Sequence, residues 1–349
     1  MPLADLAESV WYGDGVPSRV ARAALWPASA LYGAALAQIN MMAVMGRPAP
    51  GPIPALSIGN LSVGGTGKTP VSAWFAQRLR ATGASPAIVL RGYGEDETLV
   101  HRLLNPDVPV FAGADRVAQV QLAARAGADV AILDDAFQHR RAHRVADIVL
   151  ISADRWSGEV RLLPAGPYRE PLRALRRATM VIVTVKATPD DRVRAAMHAI
   201  RDVSSSAVVT VDITPASFVA VGVRHVEEPL DAWRDRRVLA VSGIGDPRSF
   251  QTQLERLGLR SRPLAFADHQ KFDEQAVRRI VGAARNTEAV VCTLKDAVKL
   301  EPLWPSSAVP LWYLSQSVVP RDGTEALDDV VRLVLAARRT TSHSADLSR

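Results

Sequence analysis

The residues best suited to chemistry lie between positions 53 and 69. An apolar run at 53–58 has the length of a buried strand, and residues 71–79 repeat apolar side chains at helical spacing. The turn between them contains Gly64, Gly65, Thr66 and Gly67, followed by Lys68 and Thr69. A glycine-rich turn between strand and helix favours phosphate, because the unpaired N–H groups and the dipole of the helix N-terminus attract anions. The sequence therefore predicts a nucleoside-triphosphate site, with Lys68 on the outer phosphates and the Thr69 hydroxyl on Mg²⁺.

One position departs from the phosphate-loop pattern G-x-x-x-x-G-K-[ST]. Ser62 stands where the pattern has its first glycine. A chance glycine-rich turn before a helix is the alternative interpretation. The doubled glycine and the correctly placed Lys-Thr pair favour the phosphate loop.

Two adjacent carboxylates, Asp134 and Asp135, end a second apolar run at 130–133. In phosphate-loop enzymes an acidic residue at the end of a neighbouring strand holds Mg²⁺, directly or through water. A turn or a helix cap is the alternative role for such aspartates. Gln138 and His139 follow closely, and we expect them to orient substrate or metal-bound water unless this segment is only an exposed loop.

Further candidates follow other strand-like runs. Arg91 and Tyr93 come directly after the run 86–90, and a proline-rich loop at 162–171 carries Arg169 and Glu170. We expect these side chains to contact substrate, phosphate or metal. His269 follows another strand-like run, where a structural role is the alternative to a catalytic one.

The elements that must position these residues alternate along the chain. Strand-like runs lie at 53–58, 86–90, 130–133, 147–151, 180–185 and 207–211, and helical periodicity covers 69–82, 116–126 and 189–200. This alternation predicts an α/β fold of the P-loop NTPase type, a mainly parallel sheet with helices on both faces. Ligands of such sheets bind beyond the carboxyl ends of the strands.

The pattern predicts a division into domains. We expect N-terminal helices over 1–50, a nucleotide-binding domain over 51–214 and a hinge over 215–237. A smaller α/β domain with a closing C-terminal helix is predicted over 238–339, before a disordered tail at 340–349.

The N-terminal region contains an uncharged run from residue 23 to residue 46. Its length would span a bilayer, but Pro27, Gln38 and Asn40 interrupt it. Acidic residues precede it, unlike the start of a signal peptide. We therefore expect one or two helices that lie in the membrane interface, with a transmembrane anchor and an ordinary buried helix as alternatives.

Composition is that of a globular protein. The chain has 349 residues, of which 48% are hydrophobic and 22% charged, and its net charge of +6 suggests anionic partners such as nucleotide, phospholipid or nucleic acid. The single cysteine, Cys292, lies in an apolar run and excludes an intrachain disulfide framework, which fits a reducing cytoplasm.

Taken together, the motifs resemble those of the tetraacyldisaccharide 4′-kinase family, the lipid A kinases of the Gram-negative inner membrane. In chain order they are Gly64-Gly65-Thr66-Gly67-Lys68-Thr69, Arg91-Gly92-Tyr93-Gly94, Asp96-Glu97, Asp134-Asp135-x-Phe137-Gln138-His139, the loop with Arg169 and Glu170, Asp268-His269 and Lys295-Asp296. They extend from about residue 53 to residue 300. Ala136 stands where that family usually has glycine.

The resemblance implies transfer of the γ-phosphate of ATP to the 4′-hydroxyl of a tetraacylated glucosamine disaccharide 1-phosphate, with Mg²⁺ as cofactor. It implies that His269 acts as general base and that Asp96 orients its imidazole, while Lys68 stabilises the phosphates. It also implies a peripheral protein on the cytoplasmic face of the inner membrane, in contact with phospholipid. We expect a monomer with no nucleic-acid partner.

Two other functions are weighed against this one. A P-loop NTPase switch, a partitioning protein or a metal-insertion protein has a related loop, K-G-G-x-G-K-[ST], but Val63 replaces its signature lysine. A nucleic-acid-dependent ATPase would fit the basic composition, yet the sequence shows no aromatic-rich basic module to support it.

Overall fold

A computed structural model describes residues 3–45, 48–92, 95–223, 226–244, 247–267 and 271–346. Its strands are β1 (Ala55–Asn60), β2 (Pro86–Leu90), β3 (Val110–Ala112), β4 (Val130–Asp134), β5 (Ala146–Ser152), β6 (Met180–Val185), β7 (Ala207–Ala220), β8 (Glu227–Pro229), β9 (Arg237–Ser242), β10 (Arg260–Ala265), β11 (Ala289–Cys292) and β12 (Leu311–Pro320). Its helices are α1 (Leu3–Tyr12), α2 (Val16–Met45), α3 (Lys68–Ala81), α4 (Glu95–Leu104), α5 (Arg116–Arg125), α6 (Asp190–Arg201), α7 (Pro247–Arg256), α8 (Glu274–Ala283), α9 (Leu294–Leu300) and α10 (Thr324–Asp346). Short 3₁₀ helices cover Leu172–Arg177, Leu230–Trp233 and Glu301–Leu303.

The chain forms two compact units. The larger comprises Ala7–Ile213 and the chain from Val318 onward, and the smaller comprises Thr214–Ser317 with the N-terminal residues through Leu6. The chain passes from the larger unit to the smaller within β7 and returns within β12.

The larger unit is built on a parallel sheet with the strand order β7-β6-β5-β1-β4-β2-β3. Strands β1, β4 and β6 are buried along their whole length, which explains why their sequences are apolar runs rather than alternating patterns. Strand β1 lies between β4 and β5, where the order of the strands reverses. Such a switch point is where open α/β sheets bind ligands.

Both faces of this sheet are covered by packed side chains. Alternate residues of β1 point to opposite faces, so Leu56 and Ile58 join one core and Ala55 another. On the first face they pack with Phe75 of α3 and Val330 of α10. These observations confirm the predicted α/β fold with a mainly parallel sheet and helices on both faces.

The smaller unit has its own parallel ladder, β10-β9-β11-β12, and β8 pairs antiparallel with β7. The indole of Trp233 is fully buried at its centre. It stacks on Phe218 with ring centroids 4.2 Å apart and meets Trp312 edge-on at 5.0 Å. Stacked and edge-on ring pairs of this kind stabilise a core beyond their buried area.

The structure differs from the sequence-based boundaries after residue 214. The sequence predicts a hinge over 215–237, and in the structure β7 extends into this range as far as Ala220, with Phe218 packed in the aromatic core. The closing helix is predicted within the smaller domain, whereas α10 belongs to the larger unit, where Leu327 and Val334 join the core of the sheet. The predicted tail at 340–349 begins in helix, since α10 extends to Asp346.

The N-terminal region is helical, as the sequence predicts. Helix α2 passes through Pro27 without interruption. None of the helices formed by the described residues combines the length and apolarity needed to cross a bilayer.

Candidate active site

The glycine-rich loop leaves the carboxyl end of β1 and turns into α3. Gly67 precedes the helix with φ of 85°, and Gly64 has φ of 106°. These are left-handed backbone conformations that glycine adopts without a steric penalty. The first N–H groups of α3 therefore point out of the helix beside the loop, as a phosphate site requires.

Neighbouring strands hold the loop in shape. The Asn60 side chain donates a hydrogen bond to the Thr66 hydroxyl at 2.9 Å, and the Thr184 hydroxyl donates to the Thr66 carbonyl at 3.0 Å. A Cβ atom on Gly67 would lie 2.2 Å from Cδ1 of Ile213, so the backbone here approaches the neighbouring side chain closely. A Cβ atom on Gly65 would meet nothing within 4 Å. The loop is thus closed on one side and open at Gly65.

Opposite charges meet at the mouth of this loop. Lys68 Nζ lies 3.7 Å from Oδ1 of Asp135, and Arg169 Nη1 lies 3.2 Å from Oδ2 of the same carboxylate. Asp135 has φ of 49°, a left-handed conformation that aspartate tolerates better than most residues. Two cations therefore share the Asp135 carboxylate at the place where a phosphate group would meet the loop.

Asp134 is the last residue of β4 and is buried, with a hydrogen-bond partner on each of its carboxylate oxygens. Register pairing sets it beside Ile58 of β1. Its Oδ1 accepts from the Ser72 hydroxyl and from the Asp135 backbone N–H, each at 3.0 Å, and its Oδ2 lies 2.8 Å from His101 Nε2. Burial raises the pKa of Asp134, but His101, Lys68 and the Ser72 hydroxyl together outweigh burial, so the pKa lies below its ordinary value.

The oxygen ligands at the site suit Mg²⁺. Thr69 follows Lys68 in the first turn of α3, Asp134 ends β4, and Asp135 comes directly after the strand. Within the described part of the chain no group of three or more histidine, cysteine, aspartate or glutamate side chains forms a metal cage. Mg²⁺ is commonly held by one or two carboxylates, water and substrate phosphates rather than by such a cage. The donor set therefore fits a magnesium–nucleotide complex.

Gln138 and Glu170 lie together behind the loop. Gln138 donates to the Asn60 carbonyl at 2.8 Å and to Oε1 of Glu170 at 3.3 Å. Glu170 is buried and ion-paired with Arg177 at 2.9 Å. The Arg177 guanidinium also covers the ring of Phe137 at 4.4 Å. Both polar side chains are therefore held by neighbouring residues next to the loop.

Arg144 holds the segment after the two aspartates. It donates to the carbonyls of Ala136 (2.8 Å) and His139 and to the carboxylate of Asp147. His139 is half-buried, and its Nε2 finds no partner among the described residues. Burial, then the positive charge of Arg116 and then that of Arg144, lower the pKa of His139. A neutral imidazole is thereby favoured at the edge of the site.

The structure gives less information on the remaining site residues predicted from the sequence. Arg91 is exposed just after β2, and Asp96 lies in the first turn of α4. Tyr93 and His269 lie outside the described residues. The structure thus brings together several predicted site residues beyond the end of β4: Lys68, Thr69, Asp134, Asp135 and Arg169. It gives no geometry for Tyr93 and His269.

The N-terminal helix α2 is fastened to the loop at 162–171. The Ser29 hydroxyl donates to the Leu162 carbonyl at 3.0 Å, and the Tyr32 hydroxyl donates to the Arg169 carbonyl at 2.9 Å. This loop in turn contacts the start of the phosphate loop, since the Arg169 N–H donates to the Leu61 carbonyl at 2.7 Å. Helix α2 is therefore linked to the site through a short path of hydrogen bonds.

Several contributing residues carry no motif that sequence reasoning recognises. Ser72 and His101 fix Asp134 from α3 and α4, and Arg177 neutralises Glu170. The available signal was weak. His101 is a polar residue on a helix whose neighbours Val100 and Leu104 are apolar, which is also the pattern of a solvent-exposed histidine at a helix edge.

Comparison with known proteins adds an independent line of evidence. The family model described as "Tetraacyldisaccharide-1-P 4'-kinase" matches residues 21–107 and 94–335. A tetraacyldisaccharide 4'-kinase from Halorhodospira halophila is 35% identical over 334 residues, which cover 89% of this chain and 91% of that protein. The corresponding protein of Chlorobaculum tepidum is 34% identical over 310 residues, covering 80% and 87%. The crystal structure of LpxK from Aquifex aeolicus in complex with ATP superposes with a TM-score of 0.72 at 26% identity, covering 90% of this chain and 99% of that one.

Proposed function

The chain belongs to the tetraacyldisaccharide-1-P 4′-kinase family, and we propose the roles by which its residues carry out the family's reaction. It is an ATP-dependent kinase of lipid A biosynthesis. The reaction moves the γ-phosphate of ATP to the 4′-hydroxyl of a tetraacylated glucosamine disaccharide 1-phosphate, which gives the 4′-phosphorylated product.

The single observation that best supports this role is the cluster at the mouth of the phosphate loop. Lys68 begins α3 and lies 3.7 Å from Asp135, while Asp134 is locked beside it by three donors. A cation for phosphate and carboxylates for a metal therefore converge within one strand end. Phosphoryl transfer requires this combination, because its catalysis is mainly positioning and electrostatic stabilisation.

Each part of the loop has a task in nucleotide binding. The backbone N–H groups from Gly64 to Lys68 bind phosphate oxygens, and Lys68 neutralises the charge on the outer phosphates. Thr69, Asp134 and Asp135 hold Mg²⁺, which neutralises developing charge on the phosphates when it is bound. Arg169 lies within reach of Asp135 and adds positive charge on the acceptor side.

His269 takes the proton of the 4′-hydroxyl, and Asp96 orients its imidazole. The motif resemblance supports these roles, and the position of Asp96 in the first turn of α4 agrees with a fixed carboxylate. A positioned base of this kind typically contributes about 10²–10⁴ in rate. Arg91, Tyr93 and His139 contact the acceptor sugar, and Gln138 and Glu170 maintain the loop on which they depend.

The rival functions receive less support. An NTPase switch, partitioning protein or metal-insertion protein of the related loop type would carry lysine where this chain has Val63. The family match extends through most of the chain, beyond the nucleotide-binding loop alone. The lipid kinase is therefore favoured.

Exposed apolar residues on helix α2 support a position of the protein on a membrane surface. Val20, Leu31 and Met42 are 62%, 74% and 56% exposed. They are spaced eleven residues apart, which is close to three helical turns, so they share one face. An exposed apolar face of this kind inserts into the headgroup region of a bilayer. We assign the protein to the cytoplasmic face of the inner membrane, in contact with phospholipid, as a monomer without a nucleic-acid partner.

The membrane role is tested by vesicle sedimentation. Leu31→Glu places a charge on the exposed face and should release the protein from phospholipid vesicles, whereas the exposed Leu333→Glu of α10 serves as control. Sedimentation of the Leu31→Glu protein at the wild-type level would refute the assignment. Light scattering of the eluting peak in size-exclusion chromatography measures the predicted monomer.

The reaction is tested with γ-labelled ATP and three conditions: the tetraacylated disaccharide, nucleic acid or no acceptor. Label should appear on the lipid alone and should depend on Lys68, since Lys68→Ala removes the phosphate-binding cation. Hydrolysis without transfer, or hydrolysis stimulated by nucleic acid, would contradict the proposal and favour one of its rivals.

A further inference from the structure

His101 is a buried titratable residue for which the proposed reaction has so far no task. It lies in the last turn of α4, its side chain is fully buried, and its Nδ1 has no partner among the described residues. Its Nε2 lies 2.8 Å from Oδ2 of Asp134. We propose that His101 is a positioning residue that holds the Asp134 carboxylate in its metal-binding orientation and ties to it the helix that carries Asp96. This inference rests on the proposed function.

The direction of this hydrogen bond follows from the chemistry of the partner. An ionised carboxylate only accepts hydrogen bonds, so the proton of the contact belongs to Nε2 of His101. The imidazole therefore donates from Nε2 to the carboxylate, and its Nδ1 has no partner among the described residues.

Counting donors shows what this bond achieves. A carboxylate has about four acceptor positions. Ser72 and the Asp135 N–H engage Oδ1, and His101 engages Oδ2. The remaining capacity is concentrated on Oδ2, the oxygen that His101 orients, and is available to a metal ion or to a water bound to it. Donors behind a metal ligand typically change metal affinity or activity by about 10- to 100-fold when they are removed.

A packing role alone explains His101 poorly. An apolar side chain would fill the same buried position without leaving a ring nitrogen unpaired, and unpaired buried polar atoms are costly. The Nε2 bond to Asp134 is the contact that an apolar residue cannot make. The hydrogen bond to the Asp134 carboxylate thus explains why a polar residue occupies the buried position 101.

The same contact joins three elements around the site. Helix α4 is also tied to α3, because Asn105 donates to the Ala73 carbonyl at 3.4 Å and Gln77 donates to the Leu104 carbonyl at 3.5 Å. Those two bonds lie at the C-terminal end of α4. His101 is the contact closer to Asp96, which lies five residues earlier in the same helix. Loss of the His101 bond should therefore loosen the end of α4 that carries Asp96.

The test measures Mg²⁺ affinity without a lipid acceptor. Binding of a fluorescent ADP analogue is titrated with Mg²⁺ in the wild type, His101→Leu, His101→Gln and the control His198→Leu. His198 is an exposed residue of α6. His101→Leu should raise the Mg²⁺ concentration for half-maximal effect by about 10- to 100-fold. His101→Gln should restore most of the Mg²⁺ affinity, because the glutamine amide nitrogen reaches as far from the backbone as Nε2 of histidine. His198→Leu should bind Mg²⁺ as the wild type does.

Two further measurements keep the inference falsifiable. In an Asp134→Asn background, His101→Leu should cause little additional shift, because its partner is already altered. If His101→Leu does not fold, His101→Gln is compared with His101→Asn, whose shorter amide should fail to restore Mg²⁺ affinity. Wild-type Mg²⁺ affinity in a folded His101→Leu protein, or equal affinity in the Gln and Asn variants, would overturn the inference.

Hydrogen exchange along α4 tests the second part of the proposal, that His101 ties the helix carrying Asp96 to Asp134. Faster exchange near Asp96 in His101→Leu, with unchanged exchange in α6, is expected. Unchanged exchange near Asp96 would remove the proposed link to that helix. Failure of lipid phosphorylation by the wild type would instead refute the proposed function and would leave the Mg²⁺ result standing.

Discussion

Alanine substitution is expected to destabilise the protein at Gly67 of the phosphate loop but not at Gly65. Gly67 has φ of 85°, and a Cβ atom there would lie 2.2 Å from Cδ1 of the buried Ile213. The left-handed conformation costs an alanine about 1–2 kcal/mol, and overpacking a core costs about 1–3 kcal/mol. We therefore expect Gly67→Ala to lower the free energy of unfolding by about 2–5 kcal/mol.

Gly65→Ala is the matched control. A Cβ atom at Gly65 meets nothing within 4 Å, so the free energy of unfolding should stay unchanged or rise by up to about 1 kcal/mol. The open space beside Gly65 is where phosphate oxygens are expected. Because a hydrogen bond to a charged group contributes about 1.5–3 kcal/mol, Gly65→Ala should weaken ATP binding by roughly 10- to 150-fold.

Thermal unfolding and ATP titration separate the two effects. For a unit of 150–250 residues, the loss expected for Gly67→Ala corresponds to a fall in Tm of roughly 4–20 °C. Equal Tm values for Gly67→Ala and the wild type would refute the close approach to Ile213. Wild-type ATP affinity in Gly65→Ala would show that the phosphates do not occupy the open side of the loop.

Two further predictions concern the smaller unit. Burial raises the pKa of Asp296 by more than the Gly243 N–H and the Thr293 hydroxyl lower it. The folded state therefore binds more protons than the unfolded state, so this group's contribution to stability falls as pH rises from about 4 through the raised pKa. Asp296→Asn should be more stable than the wild type at pH 8, with a difference that shrinks towards pH 4; a pH-independent difference in urea unfolding would contradict this. His269→Ala should lower kcat by about 10²–10⁴ and leave ATP affinity unchanged, and a wild-type kcat would indicate a structural histidine.

The strands around the phosphate loop were predictable because burial on both faces makes them apolar runs. Residues 86–90 and 180–185 coincide with β2 and β6, and the two aspartates fall at the end of β4 as predicted. The glycine turn was equally readable, since the left-handed conformations of Gly64 and Gly67 need that residue type. These features follow from local sequence alone.

Helix α4 was missed for a local reason. The acidic residues Glu95, Asp96 and Glu97 have the character of a solvated turn, yet they form the first turn of a helix. Negative charge is favourable there because it interacts with the positive end of the helix dipole. Because this helix was not predicted, the sequence also offered no indication that the His101 side chain is buried.

The division of labour between Asp134 and Asp135 depends on tertiary contacts. The sequence leaves open which of them touches the metal. In the structure Asp134 is buried under Ser72 and His101, whereas Asp135 faces Lys68 and Arg169. These partners come from positions far apart in the chain, so no local sequence pattern predicts them. The same holds for the buried pair of Glu170 and Arg177.

The most direct test of the central claim is a crystal structure with Mg²⁺ and a non-hydrolysable ATP analogue. The phosphates should lie against the backbone of Gly64–Thr69, with Lys68 on the outer phosphates and the metal beside Thr69 and the Asp134–Asp135 pair. A nucleotide bound at another place, with the glycine loop free of phosphate, would contradict the account.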